Sequence, residues 1–281
     1  MPNYPVRDFV KFKLPCPHCG GSDPVSMHED RSAYCFSCAT VIKDYDKACD
    51  SPMARETKTV DIQPYRNNAM NNSEGEFLAL TDRSISLDSA KKYGVKAVKD
   101  SKGQIIKHLY PYYIANEIVG YKVREQNKMF TWKGSGAGSG LFGEQLFQSG
   151  GKYITIVEGE CDAMAAYEML GSKWPVVSIK NGAQAAIKDV KNSIEFLEKF
   201  DCVVINFDND KPGKEAAKKV AMLLTPGKAK VVHLADDFKD ANDMIKKGNK
   251  HGYVTAWWNA KVYTPSGVVN ARDLKDKYFN R

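Results

Sequence analysis

Along the second half of the chain, short apolar runs alternate with amphipathic stretches. YITIV predicts a buried strand ending at Glu158, DAMAAYEML a helix and PVVSI a second strand. A helix is then expected through Asn192 to Phe200, followed by the strand CVVINF, the helix KEAAKKVAMLL and the strand KVVHL. Strands that alternate with helices imply a mainly parallel sheet with helices on its faces.

The stretch from Phe77 to Gly150 follows another rhythm. A helical period around Leu87 to Tyr93 gives way to strand-like runs at Ile105 to Ile114, Ile118 to Arg124 and Lys128 to Lys133. Asn116-Glu117 and Gln126-Asn127 suit the turns between them, so an antiparallel sheet is expected. KGSGAGSGLFG, from Lys133 to Gly143, lacks the GK[ST] ending of a phosphate-binding P-loop and reads as a flexible connection between subdomains. Residues 51–76 show no sustained period and are punctuated by Pro, Asn and Ser, as a flexible linker is. The pattern divides the chain into residues 1–50, the linker 51–76, a basic subdomain 77–150, an α/β subdomain 151–258 and a C-terminal linker 259–281.

A chain of 281 residues with 43% hydrophobic and 27% charged residues can bury a sizeable core. No apolar run approaches the ~20 residues of a membrane span. The N-terminus lacks the apolar core and cleavage site of a secretory signal. A soluble, intracellular protein with no membrane partner is expected. The formal charge is +7. Between Lys91 and Lys133 ten Lys or Arg stand against three Asp or Glu, an excess equal to that of the whole chain. Lys122 and Arg124 share one strand face opposite Val123, and Tyr110, Tyr112, Tyr113, Tyr121, Phe130 and Trp132 are interleaved. Such a face suits single-stranded nucleic acid, through phosphate contacts and base stacking, or is an ordinary solvated sheet face.

Four of the seven cysteines are regularly spaced. Cys16 and Cys19 form CPHC, and after fifteen residues Cys35 and Cys38 form CFSC. Two CxxC pairs at this separation are a zinc signature, because each tight turn can aim two thiolates at one ion and four thiolates close a tetrahedral shell. Disulfides fit an intracellular chain poorly. A ribbon of short strands around one structural Zn²⁺ is expected. Cys161 and Cys202 sit in apolar runs and are expected in the core.

The carboxylates carry the remaining chemistry. Glu158, the Asp208–Asp210 pair and the Lys239-Asp240 stretch all fall at predicted carboxyl ends of strands, where sheets of this kind gather functional groups. Asp208 and Asp210, two apart on a strand, would share one face. Asp, Asn, Pro and Gly together also favour a plain turn. As ligands, the pair would suit magnesium, which prefers hard carboxylate oxygens. Asp162, in the first turn of the next helix, is either a charge that complements the helix dipole or part of the same site.

VEGECDAMAA, NFDNDKPGKEAA and KDAND resemble the glutamate, DxD and following acidic motifs of the TOPRIM fold. With the zinc ribbon, the linker, YKVREQNK and the order of the parts, nearly the whole chain is similar to the primase half of the bifunctional primase–helicases of short-tailed bacteriophages. WWNAKVYTPSGVVNARDL resembles the linker leading toward their helicase half. The resemblance implies a DNA primase, a nucleotidyltransferase that makes short RNA primers on a single-stranded DNA template from ribonucleoside triphosphates. It implies catalytic Mg²⁺, replaceable by Mn²⁺, at Glu158, Asp162, Asp208, Asp210 and Asp240. It assigns Lys122, Arg124 and Lys128 to nucleotide or template, with Lys122 and Lys128 catalytic. Glu158 would share the metal or act as base for the attacking 3′-hydroxyl. The implied partners are a helicase domain or subunit and the replicative DNA polymerase, at the replication fork in the host-cell cytoplasm. The chain departs from the relatives before its third cysteine, where Arg31, Ser32, Ala33 and Tyr34 replace a histidine-containing approach. Two other classes fit parts of the pattern: a TOPRIM nuclease, and a non-catalytic zinc-ribbon DNA-binding protein.

Overall fold

The computed structural model describes residues 9–17, 25–35, 41–50, 74–127 and 129–265. Contacts divide the chain into two compact units, Met1–Val60 and Asp61–Arg281.

In the first unit, four short strands, β1 (Phe9–Leu14), β2 (Val25–His28), β3 (Ala33–Cys35) and β4 (Val41–Ile42), form an antiparallel sheet in that order, followed by helix α1 (Tyr45–Asp50). Val25, Met27, Ala33, Ile42 and Tyr45 pack with the buried side chains of Cys16 and Cys35. The Tyr45 hydroxyl donates to the Pro15 carbonyl at 2.6 Å, tying α1 to the end of β1 beside Cys16. So small a core suits a module stabilised by a bound metal. Cys19 and Cys38 lie outside the described residues.

The second unit holds two sheets. Helix α2 (Leu87–Tyr93) is capped by Ser86, whose side chain accepts from the Ser89 N–H, and closed by Gly94 in the left-handed region. Strands β5 (Lys96–Lys99), β6 (Ile105–Ile114), β7 (Glu117–Glu125) and β8 (Phe130–Gly134) follow as the expected antiparallel sheet. The turn between β6 and β7 falls at Ala115-Asn116, both with positive φ, one residue earlier than the sequence indicates.

The other sheet is mainly parallel, in the order β10-β9-β11-β12-β13, with β9 (Gly151–Val157), β10 (Val176–Ser178), β11 (Phe200–Asn206) and β12 (Ala229–Val231) parallel and β13 (Lys261–Val262) antiparallel at its edge. Ile154, Ile156, Val203 and Ile205 enter one core, with the short helices α4 (Ala186–Asn192) and α5 (Ile194–Leu197) and with α6 (Lys211–Ala221). Val157 and Val204 enter the other, with α3 (Glu160–Met169), α7 (Ala241–Lys246) and α8 (Lys250–Trp258). Alternate side chains of each central strand are therefore buried on opposite faces, which is why these segments read as continuous apolar runs.

Two sequence expectations are corrected here. The helix expected through Asn192 to Phe200 is replaced by α4 and α5, which break at Ser193. The Ser193 hydroxyl donates to Glu144 at 2.6 Å, and Phe200 is already the first residue of β11, paired with Gly151. The glycine-rich connection is packed rather than loose. The Lys180 ammonium takes the Ser139 carbonyl, and Phe142 exchanges backbone hydrogen bonds with Ser178 of β10.

Trp257 ties α8 to the centre of the sheet. It is 2% exposed, and its indole N–H donates to the Thr155 hydroxyl at 2.9 Å. Trp257→Ala should cost about 3–5 kcal/mol, and Thr155→Val, which leaves the indole donor without its acceptor, about 1–3 kcal/mol. Urea unfolding measures both, and a loss below about 1 kcal/mol for Trp257→Ala would contradict this packing.

Candidate active site

A cleft of about 680 Å³ opens at the carboxyl ends of the parallel strands and faces the β7–β8 side of the antiparallel sheet. After β9 the chain turns through Glu158 and Gly159 into α3. A side chain at Gly159 would place its Cβ 2.6 Å from an Asp162 carboxylate oxygen, so a glycine here lets Asp162 fold back over the start of its own helix. The Asp162 Oδ1 accepts the backbone N–H of Asn242 at 2.9 Å, which joins α3 to α7.

Asp208 lies two residues beyond the end of β11. The peptide N–H of Asn209 donates to the Lys239 carbonyl at 2.7 Å, and the Asn209 amide donates to the carbonyls of Phe238 and Ala235 at 3.1 and 3.2 Å. The chain leaves the sheet at this point, so Asp208 and Asp210 do not share a strand face, and that sequence argument is corrected. Asp210 is exposed and caps α6, accepting the Gly213 N–H at 2.8 Å. Gly213 lets the helix start pass close to Asp208, since a Cβ there would lie 2.3 Å from the Asp208 carbonyl oxygen. Asp240 caps α7 through the Asp243 N–H at 2.7 Å.

These turns bring one carboxylate oxygen from each of Asp162, Asp208 and Asp240 within 4.8 Å of the others. Glu158 stands beside this trio, its two oxygens accepting the N–H groups of Ala183 at 3.2 Å and Asp208 at 3.4 Å. Burial, then the charges of Asp240 and Asp208, push the Asp162 carboxyl well above its ordinary range. Burial also raises Asp208, against the pull of Lys239, whose ammonium lies 2.8 Å from Asp208 Oδ2 and 3.8 Å from Asp240 Oδ2. Glu158 is raised by burial and next by Asp208, partly offset by its two backbone donors. Three half-buried carboxylates at this separation form an oxygen donor set that suits a hard divalent cation.

The basic wall comes from β7 and β8. Lys122 reaches the cleft, but its ammonium is engaged, donating to buried Glu160 at 2.7 Å and to the Lys180 carbonyl at 2.6 Å and lying 4.6 Å from the Phe130 ring. Arg124 lies on the same face, with its guanidinium 5.8 Å from Phe130. Phe130 and Trp132 are 50% and 36% exposed. Lys128 lies outside the described residues. Sequence reasoning missed Glu160, Lys180 and Lys239 as parts of the site. The available signal was position, since Lys180 follows β10 and Lys239 precedes an acid at a strand end. Asn209, which the sequence reading did not single out, pins the two acidic loops together.

Residues 155–245 match the family model described as Toprim-like. Over 269 residues, 95% of this chain, the sequence is 33% identical to the DNA helicase/primase of Enterobacteria phage T3, and the chain spans 46% of that protein. The crystal structure of the primase fragment of the bacteriophage T7 primase–helicase aligns with a TM-score of 0.61 at 31% identity, covering 88% of this chain and 99% of the fragment. A structure of the T7 lagging-strand DNA polymerase interacting with primase domains of two gp4 subunits bound to an RNA/DNA hybrid aligns at 34% identity with a TM-score of 0.62, covering 69% of this chain and 97% of that one.

The raised carboxyls fix the sign of a stability effect. An acid whose folded pKa lies above its unfolded value favours folding below the unfolded pKa and loses that contribution as pH rises through the folded one. At neutral pH, without a cation, Asp162 and Asp208 therefore cost stability. Asp162→Asn keeps an oxygen for the Asn242 N–H and should raise the thermal midpoint at neutral pH, by about 2–4 °C for each kcal/mol relieved. The gap to the parent should narrow on acidification, and added Mg²⁺ should stabilise the parent more than the variant. A lower midpoint for the variant at neutral pH in the absence of Mg²⁺ would contradict this electrostatic picture.

Proposed function

This chain belongs to the family of the phage primase–helicases, matching their primase part, and from that premise we propose that it is a DNA primase. It makes short RNA primers on single-stranded DNA by divalent-metal-dependent nucleotidyl transfer. The observation that carries this reading is the convergence of Asp162, Asp208 and Asp240 within 4.8 Å in a cleft whose opposite wall is basic and aromatic. Carboxylates alone would repel phosphate, so such a cleft suits a nucleic-acid substrate only with a cation between them.

Asp162, Asp208 and Asp240 would hold Mg²⁺, with Mn²⁺ able to replace it. The ion, when bound, neutralises phosphate charge and lowers the pKa of a coordinated hydroxyl. Glu158, raised by burial and held by two backbone donors, is oriented to accept the proton of the attacking 3′-hydroxyl. Asp210 gives one oxygen to its cap, and its other oxygen would add to the donor set for the cation. Arg124 with Phe130 and Trp132 forms a surface for template phosphates and bases. Lys122 acts through Glu160 as part of the cleft wall, and Lys128 completes the basic face. Cys16, Cys19, Cys35 and Cys38 would hold one Zn²⁺ in a ribbon that holds and reads template. Its partners would be a helicase domain or subunit and the replicative polymerase that receives the primer, at the replication fork in the infected cell. Among the described residues no helix is long and apolar enough to cross a membrane.

Incubation with single-stranded template, labelled ribonucleotides and Mg²⁺ tests the reading, with short RNA products expected. Nicked template would indicate a nuclease, and retention without products a binding protein. Asp208→Asn should reduce synthesis on the order of 10²–10³-fold, the scale seen when one positioned electrostatic group is removed. Cys35→Ser should lose zinc and template-directed initiation while still extending a supplied primer, because a hydroxyl replaces a thiolate poorly in a four-sulfur shell.

A further inference from the structure

His108, Tyr110 and Tyr112 alternate along β6 and therefore point to one face. All three are buried, being 3%, 1% and 1% exposed, yet each ends in a polar atom. Their hydrogen bonds run to the first turn of α3. The Tyr112 hydroxyl donates to Glu160 at 2.7 Å, and the Tyr110 hydroxyl lies 3.1 Å from the Cys161 sulfur. Behind Tyr110, the His108 Nδ1 lies 2.9 Å from the same hydroxyl and its Nε2 lies 3.1 Å from Asp82. Glu160 and Cys161 are the two residues immediately before Asp162.

A second route reaches the same acid from the same place. Asp82 and Arg83 belong to the single turn Thr81–Arg83. The Arg83 carbonyl accepts the side-chain amide of buried Asn242 at 2.8 Å, and the Asn242 backbone N–H is the donor to Asp162. One turn thus holds Asp162 from both sides, through Asp82–His108–Tyr110–Cys161 and through Arg83–Asn242.

We propose that His108 and Tyr110 are positioning residues for the metal site, a relay that fixes the acidic turn of α3 from the Thr81–Arg83 anchor. The proposal rests on the reading of the carboxylate trio as a divalent-cation site. With Asp82 ionised, it can only accept, so Nε2 supplies that proton. An imidazole carrying one proton then accepts from the Tyr110 hydroxyl at Nδ1, and the tyrosine oxygen accepts from the Cys161 thiol. Each member has its donor and acceptor assigned, so loss of one hydroxyl releases the turn while the ring packing against Phe142 remains. Hydrogen-bonded groups behind metal ligands commonly change metal affinity or activity by about 10–100-fold when removed.

The test is Mn²⁺ binding followed by electron paramagnetic resonance, with steady-state primer synthesis on the same preparations. Tyr110→Phe should keep its circular dichroism spectrum, bind Mn²⁺ about tenfold more weakly and lose kcat with the KM for template unchanged. His108→Asn, which can still present an acceptor near the Nδ1 position, should retain more Mn²⁺ affinity than His108→Gln, which reaches only toward Asp82. Parent protein that binds no Mn²⁺, or binding undiminished in Asp208→Asn, would overturn the metal reading and the relay with it. If the parent binds Mn²⁺, Asp208→Asn does not, and both Tyr110→Phe and the two His108 variants bind like the parent, the relay alone is overturned.

Discussion

The constraint on which this structure turns is the crowding of like charge at one edge of a parallel sheet. Asp162 comes from the first turn of α3, and Asp208 and Asp240 from the loops after β11 and β12, and the fold spends specific contacts on keeping them together. Gly159 leaves room for the Asp162 carboxylate to fold back over its helix, where the Asn242 N–H holds it, and Gly213 lets the start of α6 pass close to the Asp208 backbone. Asp240 is held by its own helix cap. Asn209 ties the Asp208 loop to the loop that carries Asp240 by bonding to its carbonyls. Without a cation, burial and the neighbouring acids raise the Asp162 and Asp208 carboxyls, and Lys239 is a countercharge within reach. A fold selected only for stability would have no reason to bring these groups so close.

The antiparallel sheet supplies the other half of the cleft and also its rigidity. Lys122 on β7 and Tyr112 on β6 converge on Glu160, a carboxylate 4% exposed whose charge is matched by an ammonium 2.7 Å away. Removing one partner of such a pair leaves a buried charge and is far more damaging than the pair is stabilising. Lys122 thus joins the two subdomains and presents to the cleft the side of the sheet that carries half-buried Arg124 and exposed Phe130 and Trp132. The interface between the subdomains and the chemistry of the cleft share the same residues.

Much of this was legible in the sequence because the two periods are clean. α2 and β6 fall where the helical and strand patterns place them, and Glu158 and Asp208 lie within two residues of the ends of β9 and β11, whereas Asp240 stands well past β12 as the cap of α7. The misses share a physical cause, tertiary contacts that outweigh local pattern. Asn192 to Phe200 has helical character, but Ser193 finds Glu144 and Phe200 is drawn into β11 by pairing with Gly151. The Asp208–Asp210 spacing suggests a shared strand face, yet β11 ends at Asn206 and Asp210 becomes a helix cap. The glycine-rich stretch has the composition of a loose connection, but Lys180, some forty residues later, takes its carbonyl. Nothing in the local sequence announces Glu160 as the partner of Lys122, because that bond exists only once the two sheets meet.

The central claim is that the trio binds a divalent cation. Anomalous diffraction at the manganese edge from crystals soaked in Mn²⁺ tests it most directly. The account predicts a peak about 2.0–2.3 Å from carboxylate oxygens of Asp162, Asp208 and Asp240, within the range of hard-cation coordination. A map with no peak there in fully soaked crystals, or with manganese bound only away from these three residues, would contradict it.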